Sequence, residues 1–200
     1  MNFSPNEFYH VYNRGNNRQR IFFDDGNYFY FLEKVKHQLL PVSKIIAYCL
    51  MPNHFHFIIM ATGESITERP SFGGKPMQEL AYRIGILLSS YSQAINKQNK
   101  TTGSLFQQKT KAKILTAEVN GQKESYLENC FFYIHQNPLR AGLVMDLRDW
   151  PHSSFPDYIE LRNRSICEKE LFYKYSGLMK ENIVTRATTG FSEEIINQFF

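Results

Sequence analysis

The chain is poor in cysteine: there are three, an odd number, and none lies at a CxxC spacing. That argues against a disulfide framework and against a cysteine-built metal site. Cys49 and Cys130 sit inside apolar runs, so buried thiols in a reducing compartment are expected. No apolar run approaches the ~20 residues needed to cross a bilayer. The opening MNFSPNEFYHVYNRG lacks a basic stretch followed by an apolar one, which excludes a secretory signal there and predicts a cytoplasmic protein without membrane partners. There is no internal repeat and no low-complexity segment. One absence is local. From Leu80 to Ala117 there is no Asp or Glu, while Arg83, Lys97, Lys100, Lys109, Lys111 and Lys113 all fall within that stretch. A one-signed segment in a mixed chain reads as a surface for a polyanion, or as a solvated basic face.

What is present is ordinary globular composition: 200 residues, 42% hydrophobic, 15% aromatic and 21% charged, with a net charge of +4. That length suits one domain. We assign residues 1–150 to it and read 151–200 as a C-terminal extension of the same unit.

Periodicity gives the elements. FYHVYN (8–13) reads as a strand. Asp24 or Asp25 can cap a helix with Tyr28, Phe31, Leu32, Val35 and Leu39 on one face, ended by Pro41. IIAYCL (45–50) and HFHFIIM (54–60) read as a hairpin about Met51-Pro52-Asn53, and 61–76 as a loop. A long helix follows over Met77–Ile95. Leu105–Thr116 reads as a basic strand with Lys109, Lys111 and Lys113 alternating onto one face. The last predicted helix covers Ser125–Gln136, opened by a Ser125…Glu128 capping box and closed ahead of Pro138. The order βαββαβ predicts an α+β fold: a ferredoxin-like antiparallel sheet, two helices on one face, and the last helix approaching the open face.

Two clusters carry chemistry. On a strand, residues i and i+2 share a face, so His54 and His56 project together while Phe55 and Phe57 point to the core. Such a pair suits a metal held with a third ligand, and equally suits two histidines on an exposed strand. Tyr133 and Asn137, four apart, share a helical face. Tyr133 is one of twelve tyrosines and by type alone reads first as core. A phenol with a pKa near ~10 is a poor nucleophile unless something offsets charge on the phosphate it attacks.

The segments FYHVYNRGNNRQRIF, AYCLMPNHFHFII, TGSLFQQKTKAK, FFYIHQNPLRAGLV and DWPHSSFPDY occur in that order. Together they resemble the HUH single-strand endonucleases. Among these the chain is similar to the IS200/IS605-type Y1 transposases, and within that group to the REP-associated tyrosine transposases. The resemblance spans roughly Phe8 to Tyr158. It implies a metal-dependent enzyme that cleaves and rejoins single-stranded or hairpin DNA, with Tyr133 forming a 5′-phosphotyrosine. It implies His54, His56 and Asn137 as ligands of Mg²⁺ or Mn²⁺. Asn137 stands where the wider group has a longer Gln, so helix and sheet must lie closer. Relatives of the insertion-sequence type act as dimers sharing their tyrosine helices, whereas REP-associated ones look monomeric, leaving monomer and homodimer both open. By chemistry rather than motif, Arg14, Arg18, Arg20, Lys109, Lys111, Lys113 and Arg140 are candidate phosphate contacts. The alternatives are a domesticated, non-catalytic binder of DNA or RNA hairpins, and a nuclease using water with Tyr133 structural.

Overall fold

Side-chain alternation along one antiparallel sheet divides the apolar residues of the chain between two cores. The computed structural model describes residues 1–70, 74–119, 122–163 and 166–188. Its main sheet contains β1 (Phe8–Arg14), β2 (Ser43–Met51), β3 (His54–Ala61) and β6 (Lys111–Ile114), in the spatial order β2-β3-β1-β6. With α1 (Asp25–Gln38) after β1 and α2 (Glu79–Asn99) after β3, this is the βαββαβ ferredoxin-like topology that the sequence predicts. Two small hairpins decorate it: β4 (Glu68–Pro70) with β5 (Pro76–Gln78), and β7 (Thr116–Val119) with β8 (Gln122–Ser125).

One sheet face is dry. Tyr9 and Val11 of β1, Tyr48 and Leu50 of β2, and Phe55, Phe57 and Ile59 of β3 meet Phe31 and Val35 of α1 and Leu80, Ile84, Leu87 and Tyr91 of α2. Asp24 caps α1 by accepting from the Asn27 N–H at 2.9 Å. The buried residues of α2 are those its periodicity marks, although Met77 lies in β5 ahead of the helix.

The other face is covered by α3 (Leu127–Arg140), α4 (Phe155–Tyr158), α5 (Lys169–Ser176) and α6 (Ile183–Ala187), which bury Phe8, Ile46, Cys49 and Ile58 against Phe131, Ile134, Phe155, Tyr158 and Phe172. Cys49 and Cys130 are buried free thiols. The segment after α3 also seals the outer edge of β2. Leu50 N–H donates to His152 O, Ser154 N–H to Tyr48 O, and Glu168 N–H to Ile45 O, at 2.9, 2.9 and 2.8 Å. A bulge between Ile45 and Ala47 turns the Ile46 carbonyl out of the ladder, and the buried Tyr158 hydroxyl donates to it at 2.6 Å. An open strand edge is thus converted into interior.

Several boundaries differ from the sequence reading. The basic strand is short, Lys111–Ile114, and Lys109 precedes it. Residues 61–76 hold a 3₁₀ turn (Glu64–Ile66) and the β4 strand rather than unbroken loop. The last helix begins at Leu127, and Ser125 belongs to β8, so the capping box does not form: Tyr126 is the N-cap, without a side-chain capping bond. The helix also continues through Pro138 to Arg140, which places Asn137 inside it. Residues 189–200 of the expected C-terminal extension lie outside the described residues.

Candidate active site

The tight turn from β2 to β3 places the first histidine. Met51 pairs with His54, so Pro52 and Asn53 form the turn. Asn53 O accepts from the Gly15 N–H at 2.8 Å, tying this turn to the end of β1. Gly15 is required by close approach, since a Cβ there would meet Gln19 O at 2.3 Å. On β3, the rings of His54 and His56 stand edge to face with centroids 4.9 Å apart, side by side on the α3 face as alternation predicts. Phe55 and Phe57 lie in the dry core.

Each imidazole has its Nδ1 engaged. His54 Nδ1 lies 2.6 Å from Asn53 Oδ1, an oxygen that only accepts, so His54 Nδ1 carries the proton and its Nε2 a lone pair. His56 Nδ1 lies 2.8 Å from His10 Nε2 on β1. His56 Nε2 is buried with no hydrogen-bond partner. His10 is fully buried, its ring centroid 4.6 Å from that of Tyr12 and 5.0 Å from that of His56. Burial lowers the His54 pKa to about 4 and His10 to about 3, and drives His56 well below its ordinary value. Arg14 adds to the effect on His54 and His56, and Lys113 to that on His10. All three rings are therefore neutral at pH 7, the state in which an imidazole can ligate a metal.

Across from them stands α3. Tyr133, 1% exposed, meets His56 and His10 edge-on with ring centroids 5.9 and 6.2 Å away. Helix and sheet thus meet within one chain. Burial raises the phenol above its ordinary range, and a hydrogen bond with the Asn137 side chain opposes that shift. Pro138 has no N–H for the Ile134 carbonyl four residues back, and Asn137 Nδ2 donates to that oxygen instead at 3.3 Å. This substitution lets the helix carry Asn137 past the point where sequence reading ends it.

His135, between them, faces elsewhere. Its Nδ1 donates to Phe131 O at 2.7 Å, so its Nε2 accepts from Ser154 Oγ at 2.9 Å. The same Ser154 Oγ accepts from the Tyr48 N–H at 2.9 Å. One hydroxyl therefore links the tyrosine helix to the edge of β2.

A cavity of about 110 Å³ opens beside the histidines, lined by Tyr12, Asn13, Arg14, His54, His56, Gln107, Lys109 and Lys111. Of the expected phosphate contacts, Arg14, Lys109 and Lys111 line it. Lys113 stands two residues along β6 from Lys111, opposite His10. Arg18 is on the adjoining turn, where its carbonyl accepts from Asn53 Nδ2 at 3.4 Å. Arg20 instead acts electrostatically on Tyr28 of α1. Arg140 acts on Tyr133 but lines a separate cavity with Gln136 and Leu139. The residues that sequence reasoning missed are His10, Tyr12, Asn13 and Gln107. Strand alternation in FYHVYN already places His10 and Tyr12 on one face, but not which face meets the His54 pair.

The donor set suits a hard or borderline divalent ion in part. His56 Nε2 is an orphaned buried nitrogen, His54 presents the equivalent atom, and Asn137 offers an amide oxygen. Among the described residues no group of three or more His, Cys, Asp or Glu is placed to hold a metal ion, so an amide ligand or water must complete any shell. No helix of the described residues is long and apolar enough to cross a membrane.

No family model and no curated protein matches this chain. Among solved structures, it is similar to a REP-associated tyrosine transposase bound to a REP hairpin. The TM-score is 0.57 and the identity 16%, over 83% of this chain and 87% of that one. The two proteins share a fold.

Proposed function

We propose that the chain is a single-stranded DNA endonuclease and strand transferase that acts on hairpin-bearing DNA through a 5′-phosphotyrosine. The observation that carries this reading is the seating of Tyr133 against His56, in one chain, beside a cavity edged by Arg14, Lys109 and Lys111. A binding module would need the cations but not the buried phenol beside two neutral imidazoles. The solved structure of similar fold, a transposase holding a hairpin, supports the same substrate class.

In this reading His54, His56 and Asn137 hold Mg²⁺ or Mn²⁺, which when bound would offset charge on a phosphodiester oxygen. The cationic rim draws in and orients the DNA backbone. Tyr133 turns from the histidine wall toward the cavity. Its oxygen forms a bond to phosphorus as the bond to the 3′ oxygen breaks; the phenol loses its proton and the departing oxygen gains one. Asn137, hydrogen-bonded to the phenol, orients it for that attack. Because the phosphotyrosine conserves the bond, a second 3′-OH can displace Tyr133 and rejoin the strand.

The test is to trap the adduct. Incubated with a single-stranded oligonucleotide containing a hairpin, plus Mn²⁺, the wild-type chain should yield a covalent species on a denaturing gel. Tyr133→Phe should yield none, and His54→Ala should bind the hairpin yet cut nothing. An adduct with Tyr133→Phe would sink the nucleophile. Cleavage without any adduct would favour a water-using nuclease, and hairpin binding without cleavage a domesticated binder.

A further inference from the structure

Two residues of the cavity have no task in the chemistry above. Arg14, Lys109 and Lys111 meet phosphates and the histidines hold the metal, but Tyr12 and Gln107 line the same space and do neither. Tyr12 is half-buried. Its backbone is fixed by the sheet, opposite His56 of β3 on one side and Lys111 of β6 on the other. Its ring lies nearly parallel to that of the fully buried His10, with centroids 4.6 Å apart and an interplanar angle of 24°. The phenol ring is thus backed by packed protein and still reaches the cavity. Gln107 is exposed, yet its backbone is clamped to β1. Its N–H donates to Arg14 O at 2.8 Å, and its carbonyl accepts from Asn13 Nδ2 at 3.1 Å. Its side-chain amide makes no hydrogen bond among the described residues.

We infer that Tyr12 and Gln107 form a nucleobase subsite that takes an adenine from the single-stranded DNA next to the scissile phosphate. This rests on the reading of the cavity as the site of DNA cleavage. An aromatic face supported from behind is a platform on which a base can stack. A carboxamide carries a donor and an acceptor side by side. Adenine offers the matching pair, the N7 acceptor and the N6 amino group, and the two groups bond together. Guanine presents two acceptors on the same edge, which one amide satisfies only in part. The cationic rim grips the backbone without reading sequence, so the reading falls to these two uncharged side chains. Because all of them line one cavity, a phosphate and the base beside it are held together.

The test is a binding measurement with chelator present, so that neither metal nor cleavage enters. Hairpin oligonucleotides carry an abasic site at each single-stranded nucleotide beside the stem in turn. One position should stand out in the wild type, losing roughly 5- to 100-fold in affinity when its base is removed. At that position adenine should bind roughly 5- to 100-fold better than the other three bases. Tyr12→Leu should abolish the abasic penalty and Tyr12→Phe should keep it. Gln107→Leu should keep the penalty and lose the preference for adenine. A flat abasic scan in the wild type, or an unchanged penalty in folded Tyr12→Leu, overturns the subsite. Wild-type preference for another base, or an adenine preference that survives in Gln107→Leu, overturns the assignment of adenine. Adduct formation on the unmodified oligonucleotide reports on cleavage separately. A chain that passes the scan and forms no adduct keeps the subsite and overturns only the cleavage reading.

Discussion

The two faces of the sheet are built on different terms. Against α1 and α2, side chains from β1, β2 and β3 meet in an aromatic and aliphatic core around Phe31, Phe55, Phe57 and Tyr91. Against α3, comparable burial includes His10, His56, His135, Ser154 and Tyr133. The first face is held chiefly by shape and dehydration, with its buried Tyr91 hydroxyl donating to Ile21 O at 2.7 Å. The second carries more buried polar groups that need partners, and His56 Nε2, a buried nitrogen with no hydrogen bond, lies in the candidate site. Both faces bury large apolar clusters, but the candidate site lies on the α3 side alone, with the sheet as a shared wall.

Acid should separate the faces most strongly. His10, His54, His56 and His135 all have their pKa lowered by burial, and all lie on the α3 side. The unfolded chain takes up protons on these residues below about 6.5, whereas the folded chain does not until pH nears their depressed values, about 4 for His54 and about 3 for His10 and His135. Stability is therefore fully present above pH 6.5 and falls as pH drops from there toward 3. The slope is about 1.4 kcal/mol per pH unit for each histidine. Urea unfolding of chelator-treated protein at pH 7.5, 6 and 5 checks this, and a flat profile would mean that these rings are not buried neutral.

A cut into the dry face comes next in size. Phe31 is fully buried and packs its ring against Phe22, Phe55, Phe57, Tyr91 and Phe106 at centroid distances of 4.9–6.5 Å. Phe31→Ala should cost about 3–5 kcal/mol. Its pH slope should match the wild type, because no titrating ring is disturbed. A steeper acid dependence in this variant would show that the two cores are not independent.

The two faces were also unequally legible in the sequence. The dry face follows from period alone: the buried residues of α2 and the inward Phe55 and Phe57 are where spacing puts them. Spacing likewise joins His54 to His56. It does not find His10, because one histidine in an apolar strand gives no sign of which neighbour it will meet across a sheet. Nor does local reading find the true span of α3. Pro138 looks like a stop until the Asn137 side chain is seen to serve the carbonyl that proline leaves bare. The capping box failed because Ser125 belongs to the β8 strand. DWPHSS counts toward the resemblance but has no local structural reading; in the structure His152 and Ser154 bond to β2.

That last motif carries the smallest predicted effect and the most specific one. Ser154 Oγ stands between His135, two residues from Tyr133, and the backbone of Tyr48. Ser154→Ala leaves the fold of both elements intact but removes the group between them, so His135 Nε2 and the Tyr48 N–H lose a shared partner in a buried place. The cost should be about 1–3 kcal/mol, below that of Phe31→Ala. The effect on activity should be out of proportion to this, because a looser α3 holds Tyr133 less well against the histidines. Hairpin affinity, which the proposed function assigns to the rim of Arg14, Lys109 and Lys111, should not change. Denaturant midpoint, hairpin affinity and adduct yield, measured together on one preparation, separate these effects. If adduct yield falls only in step with the folded fraction, Ser154 stabilises the α3 face without positioning its tyrosine.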